Sequence, residues 1–304
     1  MITVKDLHKE FKTFHALKGI ELHVKKGEIY GFVGQNGAGK STTMNILAGL
    51  SRPTKGQCFV NGRDVTKIRH PIELNIGYLP EDPKFYPWMS AFETLEYLGN
   101  SVTHTVTKER INDVLEWVGL NNSANRRVGG FSRGMKQRLG ISAALIHDPE
   151  LLILDEPSSA LDPEGRSDVL SLIIELKKMG KTVFFSTHIL SDVERVCDTV
   201  GMIVAGTMAM EKPLAEIQRV NIIPIYDITL QSSWEKETLE KLQLVEGVKS
   251  IDIKGNTLSV TTAEDSTIST RLMRFLTDHN LEVSVFMRRK NDLEDIFIKE
   301  VNGK

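Results

Sequence analysis

The chain has 304 residues, of which 40% are hydrophobic and 26% charged, a balance typical of a globular protein long enough for two domains. The 38 basic and 40 acidic residues nearly cancel, so the net charge of −2 favours neither nucleic acid nor an anionic membrane as a partner. The two cysteines lie far apart, the first residues lack the pattern of a signal peptide, and the longest apolar run, 200–210, is too short for a membrane helix. Together these features exclude secreted, transmembrane, collagenous and disordered classes.

The first part of the chain predicts strands separated by turns. Short alternating runs predict strands at 2–7 and 20–24, and a mostly apolar run predicts a buried parallel strand at 28–33. A glycine-rich segment and a helical stretch follow that strand. Residues 58–65 predict a hairpin that turns at an Asn-Gly pair. The pattern is then helical over 87–149.

Two further apolar strands are predicted at 151–154 and 182–185. Beyond residue 221 the pattern changes to strand, helix, two strands, helix and strand, which is the βαββαβ order of a small ferredoxin-like α+β domain. A last helix is predicted over 292–301. Residues 221–304 carry 11 basic and 14 acidic side chains, and this acidic balance disfavours a nucleic-acid-binding tail.

The segment after the strand at 28–33 matches the Walker A pattern Gly-x-x-x-x-Gly-Lys-Ser, with an apolar strand before it and a helix after it. The glycines allow the backbone to turn so that its N–H groups surround phosphates, and the helix directs its positive end to the same place. We expect Lys40 to reach the β- and γ-phosphates of ATP and Ser41 to bind Mg²⁺. The predicted nucleotide-binding residues of this loop are Gly34, Gln35, Asn36, Gly37, Ala38, Gly39, Lys40, Ser41 and Thr42.

Polar residues follow both later apolar strands, at the sheet edge where ligands bind in open α/β folds. Asp155 and Glu156 follow the strand at 151–154, and His188 follows the strand at 182–185. Asp155 is predicted to hold Mg²⁺ through water, and Glu156 to orient or deprotonate the attacking water. His188 is predicted to contact the γ-phosphate and to hold that water and Glu156 in place.

Residues 131–138, Phe-Ser-Arg-Gly-Met-Lys-Gln-Arg, open an alanine-rich helix before Asp155. With the phosphate loop, the acidic pair and His188 in this order, the chain resembles the nucleotide-binding subunit of an ABC transporter over residues 1–217. The resemblance implies an ABC-type P-loop NTPase fold, with a mixed sheet, a helical subdomain and an N-terminal antiparallel β subdomain. It leaves residues 222–304 as a separate accessory domain with a regulatory, dimerisation or docking role.

The same resemblance implies roles for further residues. Ser132 and Gly134 belong to the signature segment, which completes the ATP site of a partner subunit. Phe11 matches the aromatic residue that stacks on adenine, and Asp162 closes the D-loop at 159–162, which faces the partner. Glu81 lies in the Q-loop, the connection to the membrane subunit, where it is also expected to bind Mg²⁺ together with Ser41 and Asp155.

The sequence departs from the family pattern in two places. The Q-loop has Glu81 where the pattern has Gln, which adds a negative charge beside the triphosphate. The signature has Phe131 for Leu, Arg133 for Gly and Met135 for Gln. Glu at the Q-loop and the length of the chain resemble exporter ATPases of the drug, antibiotic and bacteriocin-resistance type, which also end in a segment like Leu-Glu-Asp-Ile-Phe at 293–297.

The predicted function is ATP binding and hydrolysis in an ABC transporter, most simply an exporter, with a separate integral-membrane permease as partner. The resemblance implies a homodimer, or a pair with another ABC ATPase, that holds two ATP molecules at its interface on the cytoplasmic face of the membrane. The main alternative is a soluble ABC ATPase acting in translation or DNA repair. It is disfavoured because the chain has one ATPase unit and lacks a coiled-coil or zinc-bearing insertion. An importer ATPase is a third possibility.

Overall fold

The computed structural model describes residues 1–102, 105–159, 161–220, 222–263, 265, 267–290 and 293. These residues divide into two compact units, one ending at Leu214 and the other beginning at Ala215. None of the helices in the described ranges is long and apolar enough to cross a membrane. Apart from Leu293, the predicted helix at 292–301 lies outside the described residues, as does Ala160 of the D-loop segment.

The first unit alternates strands and helices. Its elements, in chain order, are β1 (Ile2–Phe11), β2 (Phe14–Val24), β3 (Ile29–Val33), α1 (Lys40–Leu47), β4 (Lys55–Val60), β5 (Arg63–Asp64), β6 (Ile76–Leu79), α2 (Ala91–Val102), α3 (Lys108–Trp117), α4 (Arg133–Leu145), β7 (Leu151–Leu154), α5 (Pro163–Lys178), β8 (Thr182–Thr187), α6 (Leu190–Val196), β9 (Thr199–Val204), β10 (Thr207–Pro213) and α7 (Leu214–Val220), the last of which continues into the second unit.

Four strands form an antiparallel sheet in the order β2-β1-β4-β5. The predicted hairpin between β4 and β5 turns at Asn61 and Gly62, both of which have positive φ angles (50° and 76°). Such angles suit the tight turn of a two-residue hairpin, and Asn and Gly tolerate them best. The Asn-Gly signal in the sequence therefore located this turn correctly.

Six strands form the central sheet in the order β10-β9-β3-β8-β7-β6, in which all strands are parallel except β10. Every residue of β3, β7 and β8 is buried, as expected for strands covered on both faces. The sequence analysis did not identify β6. Its Gly77 lies so close to α4 that a Cβ at this position would be 2.2 Å from the Ala144 carbonyl oxygen. Glycine is unfavourable inside a strand, so the sequence of β6 gives only a weak strand signal. The glycine is needed here because the α4 backbone approaches the strand closely.

Helices α2, α3 and α4 form the region that the sequence predicted as helical. Their first turns are capped by hydroxyl side chains, as their sequences favour. Thr107 accepts a hydrogen bond from the Arg110 amide at the start of α3. Before α2, Ser90 and Glu93 each accept a hydrogen bond from the other's backbone amide, which is a capping box.

The second unit contains the predicted βαββαβ order, and its four strands form an antiparallel sheet in the order β12-β13-β11-β14. Its core includes Leu242 and Leu272 from the helices and Ile228 and Val260 from the strands. The predicted ferredoxin-like arrangement is confirmed, as are the mixed sheet, the antiparallel sheet and the helical region expected for the first unit. The elements are β11 (Ile222–Leu230), α8 (Lys236–Gln243), β12 (Val248–Lys254), β13 (Thr257–Thr262), α9 (Ile268–Asp278) and β14 (Val283–Lys290).

Candidate functional site

Three neighbouring parallel strands, β7, β8 and β3, end at the same edge of the central sheet. Because each is followed by one of the predicted polar segments, the fold brings these segments together. The Gly34 amide donates to the Thr187 carbonyl oxygen at 3.3 Å, and the Glu156 amide donates to the Ser186 hydroxyl at 2.8 Å. The residues that the sequence placed at strand ends therefore share one site.

Two glycines of the phosphate loop, Gly34 and Gly39, leave no room for a side chain. A Cβ at Gly34 would lie 2.6 Å from the Ile203 carbonyl oxygen, and Gly39 has a φ angle of 112° at the start of α1. The loop holds Lys40, which is only 5% exposed, through hydrogen bonds from Nζ to the carbonyl oxygens of Gly34 (2.8 Å) and Gln35 (3.2 Å). A buried ammonium group at a helix N-terminus is arranged to meet an anion.

A cleft of about 310 Å³ opens over the loop and the first turn of α1, a volume within the usual range for small-molecule sites. The cleft brings together the loop, Glu81 of the Q-loop segment and Glu156. Of the other predicted loop residues, Ala38 is buried in the core at 6% exposure. The residues that line the cleft are Phe14, Ala16, Asn36, Gly37, Gly39, Lys40, Ser41, Thr42, Glu81 and Glu156.

Asp155 and Glu156 are almost completely buried, with exposures of 3% and 5%. The Ser186 hydroxyl donates to Asp155 Oδ1 at 2.6 Å and accepts the Glu156 amide, so one serine fixes both residues. Burial raises the pKa of Asp155, and hydrogen bonds from Ser186 and Ser41 only partly oppose this. The role of Ser186 was not predicted, because a serine within a strand has no distinctive sequence signal.

The Glu156 carboxylate bridges the two cationic or potentially cationic groups of the site. Oε1 lies 3.1 Å from Lys40 Nζ, and Oε2 lies 2.9 Å from His188 Nδ1. Glu156 has a φ angle of 48°, a left-handed conformation that costs about 1 to 3 kcal/mol for a residue other than glycine. This geometry is suited to holding a carboxylate beside the terminal phosphate of a nucleotide.

The oxygen ligands around the cleft fit Mg²⁺ bound together with a nucleotide. The Ser41 hydroxyl lies near enough to the Asp155 carboxylate to oppose the rise in the pKa of Asp155, and Ser41 and Glu81 both line the cleft. Mg²⁺ in phosphate sites typically keeps several water ligands and takes one or two protein oxygens in addition to phosphate oxygens. The three predicted metal ligands supply hydroxyl and carboxylate oxygens of this kind.

Two phenylalanines stand at the tip of the β1–β2 hairpin, where Phe11 and Phe14 are cross-strand partners. Phe14 lines the cleft and is 58% exposed. Phe11 is 50% exposed, with Lys9 Nζ 4.9 Å from its ring centroid, and is not among the described cleft-lining residues. The adenine-stacking role of Phe11 stays a prediction, and Phe14, which the sequence analysis missed, is an alternative from the same hairpin.

The signature and D-loop residues are also outside the lining of the cleft within the described chain. Ser132 caps α4 by accepting a hydrogen bond from the Met135 amide at 3.2 Å. A Cβ at Gly134 would lie 3.9 Å from Leu161 of the D-loop segment. Asp162 is exposed at the start of α5.

Comparison with known proteins identifies the family that the sequence motifs indicated, within the region 1–217. A family model described as ABC transporter matches residues 17–159. The uncharacterized ABC transporter ATP-binding protein YxlF of Bacillus subtilis is 37% identical over 305 residues, with complete coverage of both chains. The bacitracin transport ATP-binding protein BcrA of Bacillus licheniformis is 42% identical over 222 residues, which are 73% of this chain and 72% of BcrA.

A solved structure is similar as well. It is a dimeric post-hydrolysis state of the ATP-binding cassette MJ0796 bound to ADP and Pi, with a TM-score of 0.65, 26% sequence identity and coverage of 70% of this chain and 99% of that one. Fold, sequence and the residues of the cleft thus lead to one conclusion. The chain belongs to the ABC transporter family and is an ATP-binding, ATP-hydrolysing subunit.

Proposed function

We propose that this chain drives an exporter of antibiotic-like compounds, as a homodimer bound to a separate membrane permease on the cytoplasmic face of the membrane. The observation that carries the proposal is the buried Glu156 carboxylate between Lys40 and His188. The proposed export role of the chain is supported by its similarity to BcrA, whose name describes bacitracin transport. The relatives reported above give no support to a role in translation or DNA repair.

In this proposal, Lys40 leaves its contact with Glu156 for the β- and γ-phosphates when ATP enters the cleft. The backbone amides around Gly37 and Gly39 and the positive end of α1 bind the same phosphates. Ser41, Asp155 and Glu81 would hold Mg²⁺ directly or through water, and the metal would there supply positive charge to the phosphates.

Glu156 acts on the attacking water as an orienting group or general base, and His188 holds Glu156 in the required position. The 2.9 Å contact between His188 Nδ1 and Glu156 Oε2 supports this pairing. Fixing the carboxylate matters because a general base must lie within hydrogen-bond reach of the proton that it removes. The Ser186 bridge and the left-handed backbone at Glu156 further limit its movement.

One chain supplies donors to one side of the γ-phosphate, and a second copy supplies the rest. Ser132, Gly134 and Asp162 are assigned to the partner's ATP site, which agrees with their absence from the described lining of the cleft in their own chain. Two ATP molecules then hold a head-to-tail dimer closed, and hydrolysis releases it. Alternation between these two states moves the permease through the segment around Glu81.

The main test uses Glu156→Gln. ATP binding should be kept, because the phosphate and metal ligands remain, whereas hydrolysis should fall by a factor on the order of 10² to 10⁴. The variant should form a stable dimer in ATP, measured by size-exclusion chromatography with light scattering. Adding Ser132→Arg should abolish this dimer, while ATP binding by the monomer serves as the control.

A mixing experiment tests whether the site is shared. Lys40→Ala and Ser132→Arg chains, each inactive alone, should recover part of the activity when mixed, because their heterodimer contains one site with both halves intact. ATPase activity that is strictly proportional to protein concentration, together with a mixture that recovers nothing, would contradict the shared site.

The export role has its own test in cells. Expression of the chain with a neighbouring permease of about six membrane helices should raise resistance to a peptide antibiotic such as bacitracin, and Glu156→Gln should not. If hydrolysis is normal in the purified protein but no antibiotic or drug changes in toxicity, the family assignment stands and the proposed export role fails.

The adenine contact can be assigned by comparing Phe11→Ala with Phe14→Ala. Stacking of a base on an aromatic side chain contributes about 1 to 3 kcal/mol, or roughly 5- to 150-fold in affinity. We expect Phe14→Ala to weaken ATP binding by about tenfold, measured by calorimetry, because Phe14 lines the cleft. A loss confined to Phe11→Ala would support the assignment made from the family resemblance instead.

A further inference from the structure

A buried carboxylate lies behind the site, on α6, the helix that follows His188. Asp192 is 1% exposed. Its Oδ2 accepts the Ser158 hydroxyl at 2.6 Å, and its Oδ1 accepts Arg166 Nε at 2.6 Å. None of these three residues lines the cleft within the described chain. Asp192 therefore has strong, charge-assisted partners that the mechanism above does not use.

The two partners of Asp192 stand on either side of the D-loop segment 159–162. Ser158 is two residues after Glu156, and Arg166 lies in α5, which begins directly after Asp162. The guanidinium of Arg166 also donates to Ser191 at 2.8 Å. One carboxylate on α6 thus binds the two residues that flank the D-loop segment, and α6 begins two residues after His188.

We propose that Asp192 is a positioning residue that sets the D-loop segment relative to the Glu156–His188 pair. Its carboxylate holds Ser158 and so positions the backbone that follows Glu156. It also holds Arg166 and so positions the first turn of α5, which Asp162 precedes. Coupled positioning of this kind matters because a displacement of about 1 Å far from the reacting atoms can reduce turnover by roughly 10²-fold.

A role of Asp192 only in holding α5 against α6 can be distinguished from a positioning role by a control variant. Asp192 also helps to hold α5 against α6, and so does the hydrogen bond from Arg195 to the Ser167 hydroxyl at 3.1 Å. That second contact joins the same two helices without touching Ser158 or Arg166. Ser167→Ala is therefore a matched control that weakens the helix contact and leaves the clamp on the D-loop segment in place.

The test measures kcat, ATP affinity and the melting temperature of the full-length chain. Asp192→Asn should reduce kcat by about tenfold or more and leave the ATP dissociation constant within about twofold, because no cleft contact is changed. Ser158→Ala should give a smaller decrease of the same kind, and Ser158→Thr should restore kcat. Ser167→Ala should leave kcat within about twofold.

Two outcomes would overturn the proposal. One is a lowered melting temperature with an unchanged kcat in Asp192→Asn, which would make the residue structural. The other is an equal loss of kcat in Ser167→Ala. If Asp192→Asn does not fold, Ser158→Ala and Arg166→Lys carry the test, and normal kcat in both would contradict the positioning role.

The proposal rests on the proposed roles of Glu156 and of the shared site, and the failures can be told apart. If Glu156→Gln hydrolyses ATP normally, the proposed mechanism is wrong regardless of Asp192. If Glu156→Gln is inactive and forms the ATP-dependent dimer, adding Asp192→Asn should lower the dimer fraction at limiting ATP. An unchanged dimer fraction together with an unchanged kcat in the single variant Asp192→Asn would reject only the positioning role.

Discussion

The two units of the chain each contain a sheet with an aspartate whose pKa is shifted, and the two shifts have opposite directions. In the first unit, burial raises the pKa of Asp155 at the end of β7. In the second unit, the Arg289 guanidinium lowers the pKa of Asp227 on β11. Arg289 binds Asp227 through two nitrogens, and Ser259 donates to the same carboxylate.

The difference shows how a site for chemistry differs from a structural contact. Asp227 is compensated by a bidentate guanidinium, so its charge is stabilised within the fold. For Asp155 the hydrogen bonds of two serines, together with the smaller effect of Lys40, do not outweigh desolvation. A carboxylate kept in this state is ready to meet a cation, at some cost in stability.

The largest expected effect that separates the two units is on ATP binding. Lys40→Ala should weaken it by about 100-fold or more, because charge-assisted hydrogen bonds to two phosphates are lost from a buried group. Calorimetric titration with ATP measures this. Lys241→Ala on α8 is the control, since it removes a lysine that forms an exposed ion pair with Glu237. A comparable loss of ATP affinity in Lys241→Ala would contradict the assignment of the nucleotide site to the first unit.

A smaller effect is expected on the stability of the second unit. Asp227→Asn should reduce it by about 1 to 3 kcal/mol at neutral pH, because Arg289 loses a charged partner. The folded pKa is lowered, so the contribution of the carboxylate is present above its ordinary pKa of about 4 and is lost as the pH falls through the lower folded value. Calorimetric melting at several pH values measures this, and a difference that grows on acidification would contradict it.

Replacing the aspartate of the first unit should change stability in the opposite direction. Asp155→Asn should raise its stability by an amount on the order of 1 kcal/mol at neutral pH, because the desolvated charge is removed. The folded pKa is raised, so the gain should be present at pH values above it and disappear as the pH falls to about 4 and below. Melting without nucleotide measures this effect. Destabilisation at neutral pH would mean that the serine hydrogen bonds outweigh burial.

The smallest effect is expected from removing the second unit. A chain that ends at Arg219 should fold and bind ATP within about twofold of the full-length affinity, because the residues that line the cleft all precede that point. Circular dichroism and calorimetric titration measure folding and binding. Insolubility or loss of ATP binding would place the domain boundary elsewhere, and retained ATPase activity with lost export would indicate a regulatory or docking role for the tail.

Local sequence patterns were enough to predict the phosphate loop, the strand ends with Asp155 and Glu156, and the element order of the tail. These features depend on residues that are adjacent in the chain: glycines that permit the loop, apolar runs that form buried strands, and Ser132 as a helix cap. Their physical cause is local, so the sequence by itself determined them. It also determined the family, because four such segments occur in one order.

Contacts between distant residues were decided only by the tertiary structure. The sequence does not show that β6 pairs with β7, that Ser186 joins Asp155 to Glu156, or that Asp192 binds Ser158 from 34 positions away. It favoured Phe11, and only the structure shows that Phe14, the cross-strand partner of Phe11, lines the cleft. Such pairings follow from packing, in which the position of a side chain is set by neighbours from other strands and helices, and no local pattern contains that information.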